Sequence, residues 1–201
     1  PAIVIERGAM ITASGGLNNP ITMTSIFAEA ALLSSAVVTA DTASASGSIA
    51  LGARGKWGGL ILLGNAPTSA ATPKEIEGIT GKTYGGSDPS DSSGVLSYVR
   101  VWHGGAVVGA DNEINGITFG GVGSGTTVDH CEVAYNADDG FEFFGGTVNV
   151  KYLSVLFVGD DAFDSDEGYQ GKGQFLFAMV GNQGNHGTEM ASKFANLPRS
   201  H

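Results

Sequence analysis

Residues 127–146 and 149–168 align with each other without a gap at an offset of 22. TVDHCEVAYNADDGFEFFGG lies over NVKYLSVLFVGDDAFDSDEG. Val128 falls on Val150, Val133 on Val155, Tyr135 on Phe157, Asp138 on Asp160, Asp139 on Asp161, Phe141 on Phe163 and Gly146 on Gly168. A looser copy, LSYVRVWHGG at 96–105, sets Val99, Val101 and His103 against Cys131, Val133 and Tyr135 after an insertion. A period of this length signals a stacked architecture, in which no single repeat can bury its own apolar side. The repeat is rich in β-branched and aromatic residues and is punctuated by glycine, which suits one coil of a parallel β-helix with coils about 4.8 Å apart.

Composition agrees. The chain of 201 residues has 32 glycines, only 6 prolines, 42% hydrophobic and 15% charged residues, which argues for an all-β chain and against helical bundles, collagen or disorder. Six Gly-Gly pairs (15–16, 58–59, 85–86, 104–105, 120–121, 145–146) are expected at corners that need positive φ. Short strands are expected at 2–7, 21–26, 57–64, 95–103, 114–119, 126–135, 141–144, 148–158 and 174–180, with a polar loop at 65–93. The Ala/Ser/Thr-rich stretch 27–53 reads as an insertion, with a short helix at 27–34 and then a loop. The rival fold, an antiparallel sandwich, would show two-residue hairpin turns; Asn115-Gly116 is the sole Asn-Gly and sits inside an apolar run.

Net charge is −10, which disfavours nucleic acid and anionic membrane surfaces. No apolar run reaches the length of a membrane-spanning helix. Cys131 is the only cysteine, so no internal disulfide forms; its alignment with Leu153 and Val99 marks a buried structural thiol. The chain opens at Pro1 in a strand pattern with no visible signal peptide, and a processed or truncated N-terminus is expected.

The strings KWGGLILLGNAP (56–67), YGGSDPSDSSGVLSYVRVWHGG (84–105), DNEINGITFGGVGSGTTVDHCEVAYNADDGFEFFGGTVNVKYL (111–153) and DDAFDSDEGYQGKGQFLFAMV (160–180) closely resemble a family of secreted or surface-anchored right-handed parallel β-helix proteins. These are labelled lipoproteins or T9SS-type multidomain proteins in bacteria, and similar sequences occur in marine algae. IVIERGAMITASGGLNNPITMTS resembles the family's preceding coil, whereas 27–53 departs from it. The resemblance implies one pectate-lyase-like solenoid domain over 1–201, with further coils after 201 in a longer chain. It implies no particular activity.

Ten of the twenty acidic residues lie between 129 and 167, with Lys151 the one Lys or Arg among them. In the stacked register Asp138 sits on Asp160, Asp139 on Asp161 and Glu142 on Asp164. Like charges about 5 Å apart repel by roughly 1–3 kcal/mol per pair, depending on solvation. Such a ladder needs solvent, backbone N–H donors or a cation. Hard oxygen ligands at this density suit Ca²⁺, and the expected ligand set is Asp138, Asp139, Asp160, Asp161, Asp164 and Asp166. The competing expectation is that these side chains cap turns and face water. No EF-hand loop is present.

A Ca²⁺-dependent polysaccharide lyase would also need a cationic base, for which Arg100, Lys151 and Lys172 are the candidates; their alternative role is surface charge balance. Other motifs fail. Gly81-Lys82-Thr83 lacks the earlier phosphate-loop glycine because residue 76 is Ile76, and GGVGSGTT is not a dinucleotide fingerprint. The four histidines share no metal spacing, there is no glycosylation sequon, and Thr22-x-Thr24 does not recur. Phe141, Phe143, Phe144, Phe157, Phe163, Phe175 and Phe177 read as ladders inside the coils, while Trp57, Trp102 and Tyr169 are candidates for a sugar-stacking surface. The leading expectation is a non-enzymatic structural or adhesive module, secreted or at the cell surface, with an acidic Ca²⁺-binding face and a place in a larger protein assembly. The alternative is a carbohydrate-binding module or lyase.

Overall fold

The computed structural model describes residues 1–25, 52–106 and 114–191; the expected helix at 27–34 and most of the 27–53 insertion lie outside them. The described chain is a parallel β-helix. Its strands are β1 (Ile3–Ile5), β2 (Ile11–Ser14), β3 (Ile21–Met23), β4 (Leu60–Leu63), β5 (Lys74–Glu75), β6 (Thr83–Tyr84), β7 (Gly94–Ser97), β8 (Val99–Trp102), β9 (Ile117–Gly120), β10 (Thr127–Asp129), β11 (Glu132–Ala134), β12 (Phe141–Phe144), β13 (Asn149–Leu156), β14 (Phe163–Asp166), β15 (Gly173–Met179) and β16 (Glu189–Met190). One sheet runs β1-β4-β9-β12-β14-β16. The other bends into two rows: β2-β7-β10 meets the first half of β13, and β3-β8-β11 meets the second half. Both sheets pair in parallel, and only the hairpin β5–β6 is an antiparallel sheet.

The register follows the sequence repeat residue for residue. Val128 pairs with Val150, Val133 with Val155, Phe141 with Phe163, and Val101 with Val133. Apolar side chains therefore stack on their own kind down the interior. Phe141 and Phe163 stack at 5.6 Å, and Phe119, Phe143 and Tyr169 form a second file at 5.1 and 4.6 Å. Val99, Val101, Val133, Val155, Leu96 and Leu153 complete a continuous buried core.

The corners differ from expectation. Five of the Gly-Gly pairs do contain a glycine with positive φ, but 15–16 has none and instead closes a bridge between Gly16 and Asn19. Two corners of the coils at β7–β8, β10–β11 and β13, and one at β15, are held by larger residues in the left-handed region. Tyr98, His130, Tyr152 and Phe175 (φ 51–57°) form one column, and His103, Tyr135 and Phe157 (φ 54–60°) form another. The first column's rings stack at 4.3, 4.6 and 4.8 Å, the second's at 5.7 and 5.6 Å. Left-handed backbone costs a non-glycine residue roughly 1–2 kcal/mol, and each aromatic contact returns about 0.5–1.5 kcal/mol. At the third corner Gly121 and Gly145 take that conformation; Glu167, one coil after Gly145, does so with its carboxylate accepting from Tyr84 Oη at 2.8 Å and from Lys74.

The 65–93 loop is not uniformly irregular. Its hairpin packs on the outer face of the β4–β9–β12 sheet, where Ile61, Leu63, Ile76, Tyr84, Ile114 and Phe144 form a second apolar cluster. That cover is why outward-facing side chains at the sheet's centre are buried, and it shapes the site described next.

Candidate metal centre

Two columns of polar residues run along the solenoid at the start of the β9–β12–β14–β16 sheet. The strand register sets Thr118, Glu142, Asp164 and Glu189 side by side on successive coils. Three residues earlier on each coil lie Asn115, Asp139, Asp161 and His186. The second column also carries a repeated hydrogen bond. Asp139 Oδ1 accepts from the Asp161 N–H at 2.9 Å, and Asp161 Oδ1 accepts from the His186 N–H at 2.6 Å. Each carboxylate thus caps the backbone of the coil above it, so part of the turn-capping expectation holds.

Capping leaves most of the carboxylate oxygens over. Ligand atoms of Asp138, Asp139 and Asp160 lie within 4.8 Å of one another, as do those of Asp139, Glu142 and Asp164, and those of Asp161, His186 and Glu189. Asp139 and Glu142 are each 7% exposed. Among the described residues, none of Asp139, Glu142 and Asp164 pairs with a lysine or arginine. Burial, with the Asp138 charge next, pushes Asp139 up to about 8. Burial, then Asp139 and Asp164, raises Glu142 well above the usual carboxylate range. Asp164 is raised by burial, and its Oδ1 is buried without a hydrogen-bond partner. Glu189 is raised first by a hydrogen bond shared with Asp161 and then by that residue's charge. Carboxyl groups placed this way are relieved by holding or sharing protons or by a divalent cation.

Five of the six expected ligands, Asp138, Asp139, Asp160, Asp161 and Asp164, fall in these groups. Asp166 belongs to none of them; it pairs with Phe144 in register and acts on Tyr84, whose hydroxyl is raised chiefly by burial. Glu142, Glu189, His186 and Asn115 were not in the expected set. Glu142 lies within the repeat itself, on Asp164. Glu189, His186 and Asn115 had no signal, because the offset changes from 22 to 24 and 25 outside the perfect repeat.

The base candidates sit elsewhere. Lys151 and Lys172 line a shallow groove of about 400 Å³ with Thr127, Asp129, Asn149 and Gln174, and Arg100 lies over Trp102. None of the six expected aspartates lines that groove. In it Asp129 Oδ1 accepts from Ser97 Oγ at 2.6 Å and faces His130 Nδ1 at 2.8 Å, so the serine proton is directed to the carboxylate and not to the imidazole.

The sugar-stacking candidates are corrected by the packing. Trp57 and Trp102 are buried, with the Trp57 indole donating to the Trp102 carbonyl at 2.7 Å, and Tyr169 lies against Phe143 with its hydroxyl donating to Val148 O. Among the described residues, the exposed aromatics are Tyr152, Phe175 and Phe177. Tyr152 is sandwiched between His130 and Phe175, so it turns ring edges to solvent, whereas sugars stack on faces.

A family model described as a pectate-lyase like beta helix domain matches residues 36–199. The chain belongs to that family. No curated protein and no solved structure matches it. Membership in the pectate-lyase-like β-helix family agrees with the parallel register and the stacked interior, and carries no activity by itself. No helix among the described residues is long and apolar enough to cross a membrane.

Proposed function

We propose that this β-helix domain is an extracellular structural or adhesive module that binds Ca²⁺ along its acidic strip. The observation that carries the reading is the register itself. Parallel pairing forces Glu142 onto Asp164 and Asp164 onto Glu189, and brings the carboxylates of Asp138, Asp139 and Asp160 within 4.8 Å. Like charges directly opposite one another destabilise a sheet, and a bridging cation turns the same geometry into cross-links between coils. The outer group, Asp138, Asp139 and Asp160, would be reached from solvent. Exposed apolar residues on β15, among them Phe175, Phe177 and Met179, support a neighbour at that edge within a larger assembly.

The test is calorimetric titration with CaCl₂ together with melting curves in Ca²⁺ and in EDTA. Binding with a rise in melting temperature is expected. No heat of binding and an unchanged melting temperature would sink the proposal. The lyase alternative requires new unsaturated-uronide absorbance from pectate or alginate, abolished by Lys151→Ala or Lys172→Ala.

A further inference from the structure

The inner end of the acidic strip contains a neutral oxygen that no described residue satisfies. Asn115 is 3% exposed, and its Nδ2 donates to Glu142 Oε2. Its Oδ1, on the same amide carbon and hence also beside Glu142, is buried with no hydrogen-bond partner among the described residues. Buried carbonyl oxygens are almost always satisfied, so an orphan at the mouth of a carboxylate group calls for an occupant. The coil above supplies the rest of the shell. The Gly116 N–H donates to Asp139 O at 2.9 Å, which fixes Asn115 beneath Asp139. Asp164 faces Glu142 in register, shares a side-chain hydrogen bond with it, and keeps a buried Oδ1 without a partner among the described residues.

We infer that Asn115, Asp139, Glu142 and Asp164 form a second, buried Ca²⁺ site, separate from the outer Asp138–Asp139–Asp160 group and sharing Asp139 with it. This rests on the Ca²⁺ reading of the strip. The donor set is all oxygen, three carboxylates and one amide. Oxygens bound to one Ca²⁺ at about 2.4 Å lie no more than about 4.8 Å apart, a limit that the three carboxylate ligand atoms meet. With one or two carboxylates bidentate, the four side chains supply most of the 6–8 ligands Ca²⁺ takes.

The experiment is Ca²⁺ titration of the 201-residue chain and of Glu142→Gln, Asn115→Asp and Asp160→Asn, with Tb³⁺ luminescence lifetimes in H₂O and D₂O as a second readout. Two sites are expected in the wild-type chain. Glu142→Gln, which is isosteric, should lose the inner site and keep the outer one; Asp160→Asn should do the reverse. Asn115→Asp, which adds a charged ligand, should tighten the inner site about tenfold. Bound Tb³⁺ at the inner site should carry only about one or two waters. Failure of Ca²⁺ to bind the wild-type chain at all would overturn the strip reading and this site with it. Binding that Glu142→Gln and Asn115→Asp leave unchanged, or Tb³⁺ coordinated mostly by water, would overturn the buried site alone. The Tb³⁺ measurement needs no variant and decides the matter even if a substitution prevents folding.

Discussion

Removing divalent cations should make the stability of this β-helix fall as pH rises from about 5 to 8, the reverse of ordinary acid denaturation. Asp139 is raised from 3.8 to about 8 in the folded chain, mainly by burial and then by Asp138. The folded state therefore holds a proton that the unfolded state has already released. Where the native state binds more protons, stability decreases with pH. The contribution is complete below pH 4 and is lost as pH rises through 8. Four units at about 1.4 kcal/mol each set an upper bound of roughly 5–6 kcal/mol. Glu142 and Asp164 shift in the same direction and are coupled to Asp139, so the three titrate as one cluster and their effects do not simply add. Asp129 has the opposite sign: burial raises it, but hydrogen bonds from Ser97 and His130 outweigh that and lower it, so its effect appears at more acid pH. The assay is urea unfolding in EDTA at pH 5, 6, 7 and 8. A decline of several kcal/mol is expected, reduced in Asp139→Asn to what Glu142 and Asp164 contribute and flattened by saturating Ca²⁺. Stability that is constant or rising across this range, or a decline that Asp139→Asn leaves undiminished, would refute the electrostatic reasoning.

Three further outcomes test the fold. Phe141→Ala removes a ring stacked on Phe163 in the interior and should cost about 3–5 kcal/mol in denaturant unfolding. Tyr152 holds a left-handed corner at φ 55°, so Tyr152→Ala should be less stable than Tyr152→Gly by about 1 kcal/mol, although both lose the stack with His130 and Phe175; equal melting temperatures would remove corner strain as a factor. Cys131 is buried and its thiol is pushed up to about 12, chiefly by burial, so at pH 8 it should resist a thiol reagent until the chain is unfolded in urea.

The interior was legible because a parallel solenoid repeats its environment. Residues one coil apart face the same neighbours, so the ungapped match of 127–146 with 149–168 predicts β12 on β14 and β10–β11 on β13, as the register shows. Strands without an apolar run were missed. β2, with the sequence ITAS, and β14, with FDSD, are short or acidic, although alignment of FDSD with FEFF already implied the latter. The aromatic corners were also missed. A tyrosine in the left-handed region looks unfavourable alone, and only stacking against the next coil makes it tolerable.

For the acidic strip the division is similar. Sequence alone determined that carboxylates of successive coils would meet, because strand pairing is a one-dimensional register that an offset of 22 specifies. Which of them lose their water was decided only in three dimensions. Glu142 is buried because the β5–β6 hairpin folds back over the outer sheet, and Asp166 stands apart beside Tyr84. Asn115 reaches Glu142 from a coil whose offset the repeat does not share. Desolvation depends on what covers a residue, and that cover comes from chain far away in sequence.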